Sequence, residues 1–194
     1  MKRRIFKEDI VKNGHDLFYE KGFADTGINE ITQKTKIPKG SFYNHFKSKE
    51  EFGISVLDYY HSMNKTFLKQ ALLNEDKSPL INLKKLFIDF MEEQNNILNC
   101  SKGCLMSNLT MEMADRSTAF QEKVKENFEE ITSIFESCLN NAKQQNEIDE
   151  NLNTALMANF IYNSWQGSII RMKADKNTEA LWKFYNIVFD KLLK

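Results

Sequence analysis

The sequence has 194 residues, of which 41% are hydrophobic, and this fraction is high enough to build a buried core and argues against a disordered chain. Only two prolines and seven glycines interrupt it, so it has few of the turn signals that a many-stranded sandwich or barrel needs. We therefore predict an all-α protein of about nine helices.

The charges balance over the whole chain but are unevenly distributed along it. Lys and Arg together number 27, as do Asp and Glu, which gives a net charge of zero. Residues 1–50 hold 11 basic and 7 acidic side chains, a net charge of +4, and residues 51–194 hold 16 and 20, a net charge of −4. A basic segment beside an acidic remainder is one indication of contact with nucleic acid. A net charge of zero therefore does not exclude a DNA-binding protein.

Several classes of protein lack support in the sequence. The first residues carry no apolar signal-peptide core, and no run of about 18 apolar residues is long enough to span a membrane, so we expect a cytoplasmic protein with no membrane partner. Three cysteines do not make a disulfide framework. We find no phosphate-binding loop, dinucleotide fingerprint, nucleophile elbow or metal-binding helix, and therefore expect no enzyme activity, no cofactor and no metal site.

Helical periodicity and boundary residues place the elements in chain order. Apolar residues recur every three to four positions from 7 to 21 and predict a first helix, which Gly22 ends. A short helix over about 27–35, with Thr26 as its N-cap, and another over 39–46 after Pro38 predict a helix-turn-helix. Six further helices are predicted over about 49–73, 80–99, 103–114, 118–145, 152–174 and 178–193.

The N-terminal residues resemble a known family. The strings FYEKGF at 18–23, TGINEI at 26–31 and IPKGSFYNHFKSKE at 37–50 resemble the DNA-binding domain of TetR/AcrR-type repressors, and Gly27 departs from the serine or threonine more usual there. The resemblance implies a helix-turn-helix domain over 1–48 and a ligand-sensing and dimerisation domain over 49–194, with helix 49–73 as the connector. It also implies a homodimer that binds a palindromic double-stranded DNA operator and responds to a small-molecule effector.

The residues of the third helix divide into an inner and an outer set. Phe42 and Phe46 lie four residues apart, share one helix face and are expected to anchor it to the core. The outer set is polar and suits base edges and phosphates in the major groove, although His45 equally suits a cap or a packing role. With two residues near helix N-termini, the predicted DNA contacts are Thr26, Lys39, Gly40, Ser41, Tyr43, Asn44, His45 and Lys49.

The segment 100–115 combines thiols, methionines and isolated polar residues. Methionine lines adaptable pockets and a few polar groups orient a ligand, but both Met and Cys also serve as ordinary core residues. The string Gly-Cys-Leu at 103–105, followed by Asn108 and Glu112, resembles the branch of the family that includes the N-ethylmaleimide reductase repressor. The predicted sensor residues are Cys104, Met106, Asn108, Glu112, Trp165 and Lys173.

The resemblance to this branch leaves two ways of sensing open. Representatives respond to electrophiles and oxidants through a cysteine at the place of Cys104, and a nearby Lys173 or Lys102 would favour its thiolate. Other members bind small aromatic or acidic molecules without thiol chemistry. Cys138 lies in a long amphipathic helix and is expected to be buried and inert.

The last two predicted helices carry more apolar residues than one face can hold. In the resembling family these helices pair with their copies in a dimer, and a small residue allows close approach. The predicted interface residues are Gly167, Ile170, Leu181, Tyr185, Val188 and Leu192. A monomer with a deeper core, or a helical adaptor with no DNA role, are the alternatives.

Overall fold

The structure is a computed structural model that describes residues 6–74 and 76–194. These residues form nine α-helices and no strand, which confirms the predicted all-α class, and the predicted helix ends agree with the observed ones to within about three residues, apart from a C-terminal π-helical turn. The helices are α1 Lys7–Lys21, α2 Ile28–Thr35, α3 Lys39–His45, α4 Lys49–Leu72, α5 Pro79–Asn96, α6 Leu105–Met113, α7 Thr118–Gln144, α8 Thr154–Asp175 and α9 Glu179–Ile187, which continues as a π-helical turn over Val188–Leu192.

The chain packs as two compact units. Of the described residues, the head unit contains those up to Asn64 together with Leu105–Glu126, and the body unit contains those of Lys65–Cys104 and Asn127–Lys194. The predicted division between residues 48 and 49 follows the DNA-binding motif, whereas packing also assigns the first part of α4 and the whole of α6 to the head. One of the passages between the units lies between Cys104 and Leu105.

Aromatic side chains form the core of the head unit. The Phe52 ring of α4 lies 5.0 Å from Phe46, 5.4 Å from Phe42 and 5.7 Å from Phe18, centroid to centroid, and all four are fully or almost fully buried. A Cβ atom at Gly14 would lie 2.1 Å from Phe52 Cζ, so only glycine lets α1 approach this ring. Phe42 and Phe46 thus anchor α3 to the core through Phe52 of α4, as predicted.

The turns around α2 explain one wrong prediction. Gly27, and not Thr26, is the N-cap of α2. Thr26 is 0% exposed and its hydroxyl donates to Gly22 O at 2.7 Å, which connects the end of α1 to the start of α2. At the other end of α2, Lys36 adopts a left-handed conformation with φ 56°, and the chain then enters α3 behind Pro38.

The body unit has its own aromatic core. The Phe87 ring of α5 lies 4.7 Å from Trp165, 5.2 Å from Phe184 and 6.2 Å from Phe135, and so joins four helices. α5 ends at Asn96, earlier than predicted, with Ile97 as its C-cap, and Asn99 and Cys100 in the following turn adopt left-handed φ angles of 49° and 51°. The Cys100 N–H donates to Gln94 O at 2.9 Å, which closes this turn.

Candidate DNA interface, sensor segment and dimer surface

The outward face of α3 is polar and accessible. Tyr43 is 47% exposed although it lies beside the buried Phe42, and Lys39, Gly40 and Asn44 are exposed as well. A Cβ atom at Gly40 would meet nothing within 4 Å, so the backbone there faces open space. Ser41 and His45 are half-buried at the edge of this face. The predicted α3 contacts therefore form one continuous surface.

Two cations beside α3 were missed by the sequence reasoning. Lys36 lies in the turn before α3, Lys47 follows its C-cap Phe46, and both are exposed. Each is a candidate for phosphate contact because it flanks the helix that would enter the groove. A basic residue on each side of the third helix in the sequence was the signal that could have identified them.

The two predicted contacts outside α3 have different surroundings. Thr26 has no exposed surface, so its predicted contact with phosphate is wrong for this conformation. Lys49 Nζ donates to Ala24 O at 3.2 Å and lies 4.3 Å from the centre of the Phe23 ring. Burial lowers the pKa of Lys49, while the charges of Glu112 and Asp25 oppose that shift. Its ammonium group is thus already bound within the head unit.

Cys104 lies immediately before α6 and against α8. It is 7% exposed. A Cβ atom at the neighbouring Gly103 would lie 2.9 Å from Ile169 Cγ2 and 3.2 Å from Lys173 Cδ, so the stem of Lys173 passes the residue next to the thiol. Burial raises the pKa of Tyr162, and the charge of Cys104 raises it further. Tyr162, a residue that sequence reasoning missed, is therefore an electrostatic neighbour of Cys104.

The predicted sensor residues are divided between the two units. Cys104, Trp165 and Lys173 belong to the body, where Trp165 packs in the aromatic core. Met106, Asn108 and Glu112 lie on α6 in the head. Met106 is fully buried, Asn108 is half-buried, and Glu112 Oε2 accepts the Ala24 N–H at 2.8 Å. The carboxylate predicted to orient a ligand thus binds the protein's own backbone.

The other thiols are buried. Cys138 donates to Pro79 O at 3.4 Å, and burial raises the pKa of its thiol to about 12. Cys100 is buried in the turn after α5. Among residues 6–74 and 76–194, no three His, Cys, Asp or Glu side chains are grouped so as to hold a metal ion.

An apolar surface lies on α8 and α9 of the body unit. Its exposed side chains are Leu156, Phe160, Ile170, Trp182 and Ile187. A groove of about 390 Å³ between the two helices is lined by Phe160, Ser164, Gly167, Ser168, Arg171, Ala180, Lys183, Phe184, Ile187 and Val188. We call these two sets together the α8–α9 surface.

The structure corrects the predicted dimer residues. Gly167 and Ile170 are exposed on the α8–α9 surface, and Tyr185 and Leu192 are half-buried. Leu181 is 0% and Val188 1% exposed, because the stripe they share faces the protomer's own core. Trp182 and Ile187 are 43% and 52% exposed and face outward in their place.

In the described parts of the chain, the helices are too short or too polar to cross a bilayer.

Known proteins share this sequence and fold. Residues 10–53 match the family "Bacterial regulatory proteins, tetR family", and residues 79–188 match "Tetracyclin repressor-like, C-terminal domain". The HTH-type transcriptional repressor DhaR of Mycobacterium sp. (strain GP1) is 32% identical over the whole of this chain and 95% of its own length.

Two solved structures show the same fold. The regulatory protein TetR from Rhodobacter sphaeroides has a TM-score of 0.85 at 24% identity, covering 96% of this chain and 98% of its own. E. coli NemR in its reduced form has a TM-score of 0.84 at 21% identity, covering 95% and 96%.

The family and sequence matches confirm the prediction of a transcriptional regulator, and not the alternatives of an enzyme or an adaptor without a DNA role. TetR family regulators bind DNA operators and act as dimers. The chain is therefore a DNA-binding transcriptional regulator of the TetR family.

Proposed function

We propose that the protein is a repressor that binds a palindromic operator as a homodimer through α3 and is released when a small molecule acts at Cys104. The observation that carries the DNA-binding part is the polar, accessible face of α3 above its buried Phe42 and Phe46 anchors. A helix of this kind enters the major groove without exposing apolar core.

Each exposed group of α3 suits a particular contact. The Lys39 ammonium donates to guanine O6 and N7 or to phosphate, and the Asn44 amide pairs with adenine. The Tyr43 hydroxyl donates to phosphate, with Lys36 and Lys47 on either side. Gly40 lets the backbone approach the DNA closely. Phosphate contacts position the helix and base contacts give it specificity.

The α8–α9 surface is the proposed dimer interface. Gly167 has open space where a Cβ would lie, and Ile170, Trp182 and Ile187 supply exposed apolar area around it. A dimer would bury this area, and it would hold two α3 helices at the separation of about 34–36 Å that successive major grooves require.

Cys104 is the proposed point of control. An electrophilic alkene adds through its carbon to the thiolate sulfur, and its other alkene carbon then takes up a proton from solvent. Because Cys104 is 7% exposed, the added group would need space that packing does not provide, and α6 begins at the next residue. The second candidate is a non-covalent aromatic acid, which the Tyr162 ring and the Lys173 ammonium would suit.

The release is tested with a labelled duplex that the wild-type protein selects from a random-sequence pool. N-ethylmaleimide at pH 8 should weaken binding at least about tenfold in the wild type and in a Cys138→Ser control, and should leave Cys104→Ser unchanged. With a pKa of about 12, only about one Cys138 thiol in 10⁴ is ionised at this pH, so mass spectrometry should find it unmodified.

Two other results would change the proposal. Release of Cys104→Ser by the same reagent would remove this thiol from the mechanism. Release of the wild type by benzoate, with no effect of N-ethylmaleimide, would replace thiol chemistry with the non-covalent candidate.

A further inference from the structure

We propose that Glu112 is a positioning residue, which sets operator affinity by holding the turn between α1 and α2 (residues 22–27, the α1–α2 turn). The inference rests on the proposed DNA contacts of α3 and does not depend on any effector. All the residues involved belong to the head unit.

Both backbone groups of Ala24 are bound by charged side chains. The Ala24 N–H donates to Glu112 Oε2 of α6 at 2.8 Å, and Lys49 Nζ of α4 donates to Ala24 O at 3.2 Å. Ala24 is itself exposed, so water would satisfy these groups if the side chains were absent. Hydrogen bonds to ionised groups are about twice as strong as neutral ones, so the contacts favour one position of the turn.

The turn is shaped to receive the Glu112 carboxylate. Gly22 has φ 81°, a left-handed value that favours glycine. A Cβ atom there would lie 2.5 Å from Glu112 Oε1, closer than real Cβ atoms approach, and 3.1 Å from Oε2. Any larger residue at position 22 would displace the carboxylate from the Ala24 N–H. The turn therefore offers the Glu112 carboxylate both a hydrogen-bond donor, the Ala24 N–H, and the space left by Gly22.

The position of this turn determines the position of the DNA-binding helices. Phe23 is buried, 5.4 Å from the Phe18 ring of α1 and 5.5 Å from the Phe120 ring of α7. The Thr26 hydroxyl closes the turn onto Gly22 O directly before α2 begins. Because α2 and α3 are joined by a short turn, a displacement of residues 22–27 moves α3 with it. Glu112 thus acts on DNA binding although it touches no DNA.

Loss of Glu112 would affect two groups at once. The Ala24 N–H would lose its acceptor, and the Lys49 ammonium would lose the carboxylate whose charge opposes the effect of burial on its pKa. Electrostatic repulsion from DNA predicts the opposite effect on affinity, because removal of any negative charge from the head should strengthen binding. A weaker operator affinity without Glu112 would therefore indicate a positioning role, and a stronger one would indicate only the loss of charge repulsion.

The experiment compares three variants by fluorescence anisotropy, using the duplex selected by the wild-type protein and a scrambled duplex of the same length. Glu112→Ala should bind the selected duplex about tenfold more weakly and the scrambled duplex within about twofold of wild type. Glu112→Gln retains an acceptor oxygen but not the charge, and should recover part of the lost affinity. Asp115→Ala removes the same charge from an exposed site and should bind as tightly as wild type or more tightly.

Amide hydrogen exchange gives a direct measure of the contact. Ala24 should exchange faster in Glu112→Ala than in wild type, with core amides such as that of Phe52 unchanged. Wild-type or tighter binding by Glu112→Ala, or an equal loss on both duplexes, would overturn the inference. If instead substitution of Lys39 and Tyr43 leaves binding intact, the proposed α3 contacts fail separately from this role of Glu112.

Discussion

Helices α3 and α9 are both short helices with a buried inner face, but the outer face of α3 is polar and that of α9 carries exposed apolar residues. Each is short and is anchored by a buried phenylalanine, Phe42 in α3 and Phe184 in α9. The outer face of α3 carries an ammonium, a phenol and an amide, whereas that of α9 carries Trp182 and Ile187. A polar face remains solvated until it meets phosphates and base edges, and an apolar face gains free energy by leaving water. The inner faces thus build the fold, and the chemistry of the outer faces suits the two proposed partners, DNA for α3 and a second copy of the chain for α9.

The distribution of charge follows the same division. The +4 of residues 1–50 lies with the polar α3, and the −4 of the remainder includes the apolar α8–α9 surface. The net charge of −4 on residues 51–194 is repelled by DNA, so non-specific adsorption of this part of the chain is disfavoured. Specific affinity then depends on two heads held at the correct spacing.

The largest expected effect is on the α9 side of the comparison. Trp182→Asp together with Ile187→Asp would place two carboxylates in the proposed dimer interface, where an uncompensated charge costs several kcal/mol. We expect the dimer dissociation constant to rise by at least about 1000-fold, measured by analytical ultracentrifugation. Operator binding should fall with it, because one head alone makes half of the contacts.

The control for this variant is Ile97→Asp. Ile97 is 75% exposed but lies outside the α8–α9 surface, at the end of α5, and its substitution should leave the dimer intact. If the double aspartate variant sediments as a dimer, a different surface joins the two copies. Circular dichroism verifies that the variants remain helical.

The second effect is on the α3 side. Lys39→Ala with Tyr43→Ala removes one cation and one phenol from the exposed face and should weaken operator binding about 100-fold, since each contact is worth about 1–3 kcal/mol. Lys69→Ala, an exposed lysine farther along α4, removes the same charge and should change binding less than about threefold. Unchanged binding of the double variant in an anisotropy titration would reject the assigned face.

The sequence made the α3 side of this comparison predictable and the α9 side only partly so. In α3 and its C-cap, Phe42 and Phe46 lie four residues apart and define one inner face, and the other residues are polar, tyrosine or glycine. In α9 and its π-helical turn, apolar residues occur on almost the whole circumference, so periodicity does not tell which stripe enters the core. Leu181 was therefore assigned to the partner, although it packs within its own protomer.

Contacts between residues far apart in the chain also could not be predicted from the sequence. The bond between Ala24 and Glu112 joins residues 88 positions apart, and no local pattern indicates it. Glu112 was predicted as a ligand contact because an isolated carboxylate in an apolar helix suggests a polar group in a pocket. Thr26 was predicted as a cap because its residue type favours that position, but its hydroxyl binds Gly22 O. In both cases the residue type indicated a polar contact, but the sequence did not identify the group that the side chain binds.

The smallest effects come from two glycines, one on each side of the comparison. A Cβ atom at Gly40 or at Gly167 would meet nothing within 4 Å in the protomer, so alanine should fit at both positions. Because glycine is a poor helix former, each substitution should leave the protomer as stable as before or stabilise it by up to about 1 kcal/mol in thermal unfolding. A methyl group that meets a closely packed partner costs about 1 kcal/mol or more, which is about fivefold in affinity.

The two alanine variants should therefore lose different functions. Gly40→Ala should weaken operator binding about fivefold and leave the dimer constant unchanged, whereas Gly167→Ala should weaken the dimer by a similar factor. The operator affinity of Gly167→Ala should recover fully at protein concentrations that restore the dimer, because its α3 face is intact. Gly40→Ala should show no such recovery at any concentration. If both variants lost both functions in parallel, the backbone at these glycines would be needed for the fold and not for close approach to a partner.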